Sequence, residues 1–255
     1  MSEFSGFDTN FSLEGKVAVI TGGAAGIGLA IAELYVKKGA RVALLDRADN
    51  VSAVAKGLDK ENALGLSCDV SSKSAVESVI AQVISHFGRI DILVNSAGIV
   101  ALDPAEDLSE GDWDKTMAVN LKGVFLMSQC VGKHLIKQGH GKIVNLASQA
   151  GVVALPNHLA YCASKAGVIG MTQVLALEWG PKGVQVNAIS PTVVLTELGK
   201  KAWSGDVAEE MKLKIPARRF AYPPEVAACA LFLASDAANM ITGANLVIDG
   251  GYTIQ

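Results

Sequence analysis

The chain of 255 residues is predicted to form an α/β fold, a doubly wound, seven-stranded parallel sheet with helices on both faces. Three observations predict it. Short apolar runs rich in β-branched residues recur along the chain, stretches with helical period separate them, and a glycine cluster closes the first run.

The first run occupies residues 16–21 and ends at Gly22-Gly23. Helical period takes over at 27–38, and a second apolar run at 41–46 follows Gly39. Further strands are expected at 63–67, 90–95, 142–148, 184–190 and 245–248. Helices are expected near 72–87, 110–137, 160–179 and 224–234. Strands that are apolar on both faces, each followed by a helix, suit a parallel sheet covered on two sides. No proline-rich or polar linker divides the chain, so residues 1–255 read as a single domain. Its least regular stretch, 192–220, reads as a substrate loop.

Composition excludes several classes. A net charge of −3 is too mild for nucleic-acid or membrane-surface binding. No stretch approaches a membrane span, and residues 1–16 carry acids without an apolar core, unlike a signal peptide. Cys68, Cys130, Cys162 and Cys229 are far apart and form no CxxC pair, which points to buried thiols in a reducing cytoplasm.

The first turn, Thr21-Gly22-Gly23-Ala24-Ala25-Gly26-Ile27-Gly28, carries the first chemical signal. Glycines let the backbone approach a ligand without a Cβ, and the next helix offers free N–H groups to a pyrophosphate. Asp46 closes the second strand, where an acid can accept hydrogen bonds from adenosine ribose hydroxyls. It would repel a 2′-phosphate, so NAD is expected over NADP. Arg47 argues the other way, and Ala25, which is not basic, argues for NAD again.

The second signal is Tyr161 with Lys165, four residues apart and so on one helix face. A phenol ordinarily titrates near pH ~10 and is a poor base at neutrality. An ammonium beside it favours the phenolate, giving a group that takes a proton from an alcohol as hydride leaves. Ser148 ends the preceding strand, so its hydroxyl can face the same crevice.

With these residues in place, the sequence resembles the short-chain dehydrogenase/reductase family over about residues 13–255. The resemblance rests on TGGAAGIG at 21–28, Asp69-Val70, Asn95-Ser96-Ala97-Gly98, Asn120, Ser148, Tyr161-Cys162-Ala163-Ser164-Lys165 and Asn187-Ala188-Ile189-Ser190-Pro191. It implies a Rossmann-type fold and NAD-linked exchange between an alcohol and a ketone. It implies that Asn120, Ser148, Tyr161 and Lys165 are catalytic, with Asn120 interrupting its helix to anchor a water and Lys165 also holding the nicotinamide ribose. Gly22, Ala25, Gly26, Ile27, Gly28, Asp46 and Arg47 would flank the adenosine and pyrophosphate, and Asp69 and Val70 the adenine. Asn95, Ala97 and Gly98 would support the central strand and coenzyme, and Pro191, Val194 and Thr196 would sit near the nicotinamide. Two positions depart from the family pattern: Thr192, commonly glycine, and Ser96, commonly asparagine.

The substrate side is expected to involve Ser148, Gln149, Asn157, Tyr161 and Trp203, with His158 and Leu198 nearby. Amides at Gln149 and Asn157 suit additional hydroxyl groups, although Asn157 and His158 read equally as turn or cap residues. Trp203 reads either as a lid or as packing beneath one. The closest resemblance is to bacterial dehydrogenases of polyols and diols such as threitol, 1,2-propanediol, glycerol or sugar alcohols. A 3-oxoacyl reductase is the alternative enzyme, and an idle dinucleotide sensor the alternative of another class. The resemblance also implies a homotetramer, consistent with a helix at 166–179 that is apolar on more than one face. Some family members hold magnesium at the C-terminal carboxylate; Gln255 has no ligand cluster, so no metal is expected.

Overall fold

The structure, a computed structural model, describes residues 6–254. The chain alternates strand and helix from its first element: β1 (Val17–Thr21), α1 (Gly26–Lys37), β2 (Arg41–Asp46), α2 (Val51–Leu58), β3 (Ala63–Ser67), α3 (Lys73–Phe87) and β4 (Ile92–Asn95). Then come α4 (Glu110–Met117), α5 (Gly123–Gln138), β5 (Gly141–Leu146), α6 (Leu159–Trp179) and β6 (Val184–Pro191). The last elements are α7 (Glu197–Ala202), α8 (Gly205–Leu213), α9 (Pro223–Ala234) and β7 (Asn245–Ile248).

All seven strands are parallel, in the order β3-β2-β1-β4-β5-β6-β7. The chain winds outward from β1 to β3, then returns to the other side of β1 at β4. That reversal opens a crevice above the carboxyl ends of β1 and β4, where ligands of such sheets bind.

The two-residue period of the strands divides the core. Ala18, Ile20, Val42, Leu44, Ile92 and Val94 face a layer containing α1, α2 and α9. Val17, Val19, Ala43, Leu45 and Leu93 face the opposite layer, with α3 and α5. Burial on both faces explains why these strands read as nearly unbroken apolar runs.

Three local features differ from the sequence expectation. α2 has eight residues and buries only Val51 and Ala55, too little for a visible period. The helix expected over 110–137 is two helices joined by a π turn at Ala118–Lys122, centred on Asn120. Side-chain periodicity scarcely registers such a one-turn widening. Residues 192–220 hold α7 and α8, packed by Ala208, Met211, Ile215 and Phe220 into a small separate cluster. Among the described residues no helix is long and apolar enough to cross a membrane. The four cysteines are free thiols; only Cys68 is fully buried, which pushes its thiol up to about 11.

Candidate active site

A cleft of about 790 Å³ runs over the carboxyl ends of the central strands. One end is the turn from β1 to α1. Gly26 there has φ +57, a conformation L side chains rarely adopt, and a Cβ would meet the Thr196 methyl at 3.2 Å. A Cβ on Gly28 would stand 2.2 Å from the Gly22 carbonyl oxygen. α1 begins without a side-chain cap and without an acid in its first turn, which leaves its N–H groups and positive dipole end for an anion.

Asp46 stabilises this turn: its carboxylate accepts from the amides of Ala24 and Ala48, both at 3.0 Å. It also lines the cleft, and carboxylate oxygens accept more than one bond each. Arg47 and Asp69 line the cleft close by. The hydroxyl and amide of Ser71 hold the Asp69 carboxyl below its ordinary value, and the Arg47 charge adds to this. Thr21 ties β1 to the segment after β4 by accepting from the amides of Ser96 and Ala97, at 3.0 and 3.1 Å. The glycine cradle, the uncapped helix and the cleft-lining acid Asp46 together fit a dinucleotide.

The other end holds Ser148, Tyr161 and Lys165, all lining the same cleft. β5 delivers Ser148, whose hydroxyl accepts from the Ala150 amide at 3.1 Å. α6 presents Tyr161 and Lys165, with Lys165 Nζ 5.6 Å from the Tyr161 ring centroid and donating to the Leu146 carbonyl at 2.6 Å. Burial lowers Lys165 to about 8. Burial likewise pushes the Tyr161 phenol up, and its hydrogen bond with Ser148 pulls it down. The phenol is therefore not yet an ionised base in the protein alone, and the positive charge of an oxidised nicotinamide would be needed to shift it further.

Asn120 does not line the cleft. It is fully buried behind it, accepting from the Ile99 amide at 2.8 Å and donating to the Ile99 carbonyl at 2.8 Å and to Ser164 at 3.2 Å. The π turn aims this amide at a cleft-wall residue, Ile99. Asn95 also lies outside the lining. It is buried, donating to Ser128 at 3.1 Å and to Asn145 at 2.8 Å. Gly22, Ala25, Gly26, Ile27, Gly28, Val70, Ala97, Gly98, Pro191, Val194 and Thr196 all line the cleft. The Thr196 hydroxyl accepts from Gly199 at 3.0 Å and keeps its proton for another acceptor.

On the substrate side, Gln149, His158 and Trp203 line the cleft. Trp203 also packs edge-on against Phe220, 6.1 Å between ring centroids, so it is cleft wall and packing at once. Asn157 is not part of the lining: it is exposed in a turn with φ +62, where asparagine is tolerated, and its carbonyl accepts from Asp103. The side chain of Leu198 and residue Gln255 lie outside the described part of the structure. Among the described residues, no group of three or more His, Cys, Asp or Glu could hold a metal. Ile99, Val100, Leu155 and Val193 add an apolar wall that residue chemistry alone did not single out, though Ile99 and Val193 sit next to flagged positions. Two buried lining atoms have no hydrogen-bond partner, Gln149 Oε1 and Thr192 Oγ1.

Comparison with known proteins gives a consistent set. The family model described as enoyl-(acyl carrier protein) reductase matches residues 22–253. An NAD-dependent glycerol dehydrogenase of Listeria innocua serovar 6a is 59% identical over 252 residues, covering 99% of each chain. A D-threitol dehydrogenase of Mycolicibacterium smegmatis is 58% identical over 251 residues, 97% of this chain and 96% of the other. Among solved structures, a gluconate 5-dehydrogenase from Burkholderia cenocepacia in complex with NADP and tartrate superposes with TM-score 0.92. It is 34% identical and the match covers 96% of this chain and 98% of that one.

Proposed function

Because the chain belongs to the short-chain dehydrogenase/reductase family of oxidoreductases, we propose that it exchanges a hydride between NAD and a secondary carbinol of a small polyol or diol. The observation that carries this reading is the single cleft, with a dinucleotide cradle at one end and Ser148, Tyr161 and Lys165 at the other.

In the oxidative direction, nicotinamide supplies the two-electron acceptor for the carbinol hydrogen. Ser148 donates a hydrogen bond to the substrate oxygen and fixes it against Tyr161. The Tyr161 phenolate takes the hydroxyl proton as the carbinol C–H bond breaks and C=O forms. Below about pH 8 Lys165 carries a positive charge beside the ring, and its remaining protons would hold the nicotinamide ribose. Asn120 acts as a positioning residue, holding Ile99 and Ser164 and anchoring water on the path by which the proton leaves. In reduction the same phenol returns the proton.

Asp46 supports NAD over NADP, since a 2′-phosphate would face a carboxylate already fixed by two backbone amides. The 3-oxoacyl reductase alternative has the apolar wall in its favour. Against it stand the unpartnered Gln149 Oε1, ill suited to an acyl chain, and the two relatives near 60% identity, a glycerol and a threitol dehydrogenase. One domain carries both half-sites, with residues 192–220 closing the substrate side. We place the protein in the cytoplasm, where free thiols persist, as a homotetramer. Val174 and Leu177 of α6, 54% and 79% exposed, give that assembly an apolar face to bury.

The test is a panel of polyols, diols and hydroxyacids assayed with NAD and with NADP, followed by absorbance of the reduced nicotinamide. Turnover of polyols with NAD is expected. Turnover confined to 3-oxoacyl thioesters and NADPH would overturn the reading. Light scattering that finds a monomer at micromolar concentration would remove the tetramer.

A further inference from the structure

Thr192 stands where family members commonly carry glycine, and the backbone does not explain the difference. Thr192 is not among the described residues with positive φ, and its amide donates to the Ile248 carbonyl at 3.1 Å. Nothing in that conformation demands glycine. What the threonine adds is a side chain, 8% exposed, at the cleft wall, with a hydroxyl that has no hydrogen-bond partner. Gln149, 2% exposed, lines the same cleft and carries the second unpartnered atom. The two share a structural address. β5 and β6 pair Leu146 with Ile189, and Gln149 and Thr192 each lie three residues beyond that pair, after adjacent strands. Each also follows a residue of the chemical end, Ser148 and Pro191.

Buried polar atoms in folded proteins almost always have partners, and a site whose partners arrive with the substrate is one kind of exception; Asn95 Oδ1 and Thr116 Oγ1, also unpartnered, lie outside the cleft lining. We infer that Thr192 determines specificity jointly with Gln149, together binding a second hydroxyl on the carbon next to the reacting carbinol. This inference rests on the polyol reading and narrows it to vicinal diols. The chemistry closes on one group. A hydroxyl donates its proton to Gln149 Oε1, which can only accept, and accepts from the Thr192 hydroxyl, which can donate. Ser148 and Tyr161 remain free for the oxygen that reacts. A mono-alcohol satisfies neither orphan atom, and an acyl chain buries both.

The experiment compares 1,2-propanediol with 2-propanol, which differ by one hydroxyl on the carbon next to the carbinol, in NAD-linked oxidation by the wild-type protein, Thr192→Val and Thr192→Ser. NAD affinity is measured alongside by calorimetry. The wild type should favour the diol in kcat/KM. Thr192→Val, similar in shape but without the hydroxyl, should cut the diol-to-mono-alcohol ratio about tenfold or more, chiefly through the diol KM. Thr192→Ser should bring the ratio back to within about threefold of the wild type, since it restores the donor. If Thr192→Val fails to hold NAD, Thr192→Ala replaces it and is judged by the same ratio. A ratio unchanged by loss of the hydroxyl, in a variant that binds NAD normally, overturns the inference while the polyol reading stands. A wild-type protein that oxidises neither these substrates nor any other polyol removes the polyol reading and this inference together.

Discussion

The two ends of the parallel sheet are made from similar residues and reach opposite outcomes. At the amino end, around a cavity of about 270 Å³, Asp91 is buried and its carboxylate accepts from the Val17 amide at 2.9 Å and from Arg89 at 2.9 and 3.1 Å. Lys142, also buried there, donates to Asn239 at 2.7 Å. At the carboxyl end, Gln149 and Thr192 are as well buried and have atoms with no partner. Polar groups answered by the protein's own chain fasten strands. Those left unanswered in a wide cleft are held ready for something else.

The largest effect expected from this contrast is at the carboxyl end. Tyr161→Phe should lower kcat by about 10²- to 10⁴-fold with NAD affinity and melting temperature nearly unchanged, measured by steady-state kinetics and calorimetry. Retention of most activity would remove Tyr161 from the reaction. Next, Asp46→Ala should move the NAD-to-NADP preference in kcat/KM by about tenfold to a hundredfold towards NADP, because a carboxylate no longer faces the 2′ position. An unchanged ratio would place discrimination elsewhere.

The amino end should answer in stability. Asp91→Ala leaves the Val17 amide unpaired and is expected to cost about 1–3 kcal/mol in urea denaturation, with kcat of the folded protein retained. A loss of kcat without a loss of stability would break the division between the two ends. The smallest effect concerns Lys142, which burial lowers to about 8 from an ordinary 10.5. Below pH 8 the folded protein bears a desolvated charge; between pH 8 and 10.5 the unfolded chain binds more protons, so stability from this group rises with pH. The stability of Lys142→Met relative to wild type should therefore fall between pH 7 and 10, by about 1 kcal/mol. A gap independent of pH would contradict the assigned burial.

The seven strands were legible because burial on both faces leaves a plain mark, an apolar run with β-branched residues. Termini shifted by a residue or two, as at β5, expected at 142–148 and found at Gly141–Leu146. The glycine turn and the Tyr161–Lys165 spacing were legible because each is local, set by φ or by one helix turn. What escaped is what depends on contacts distant in sequence. The π turn at Asn120 keeps helical dihedrals, so its period looks continuous, and only family resemblance marked the residue. Asn157 has fitting chemistry and a nearby position, yet its left-handed turn leaves it exposed, outside the cleft lining. Thr192 stood out as a departure in type, but the lack of a partner for its hydroxyl is a three-dimensional count that no linear pattern carries.

The claim on which the rest depends is that the Tyr161 phenol moves the proton. Its direct test is the pH dependence of kcat/KM for NAD-linked polyol oxidation. Burial keeps the phenol protonated near neutrality, so the rate should climb roughly tenfold per pH unit until the phenol ionises, while ketone reduction, which uses the protonated phenol, stays level over that range and declines only above it. Oxidation that stays level from about pH 6 to pH 9 would mean that another group, or none, takes the proton.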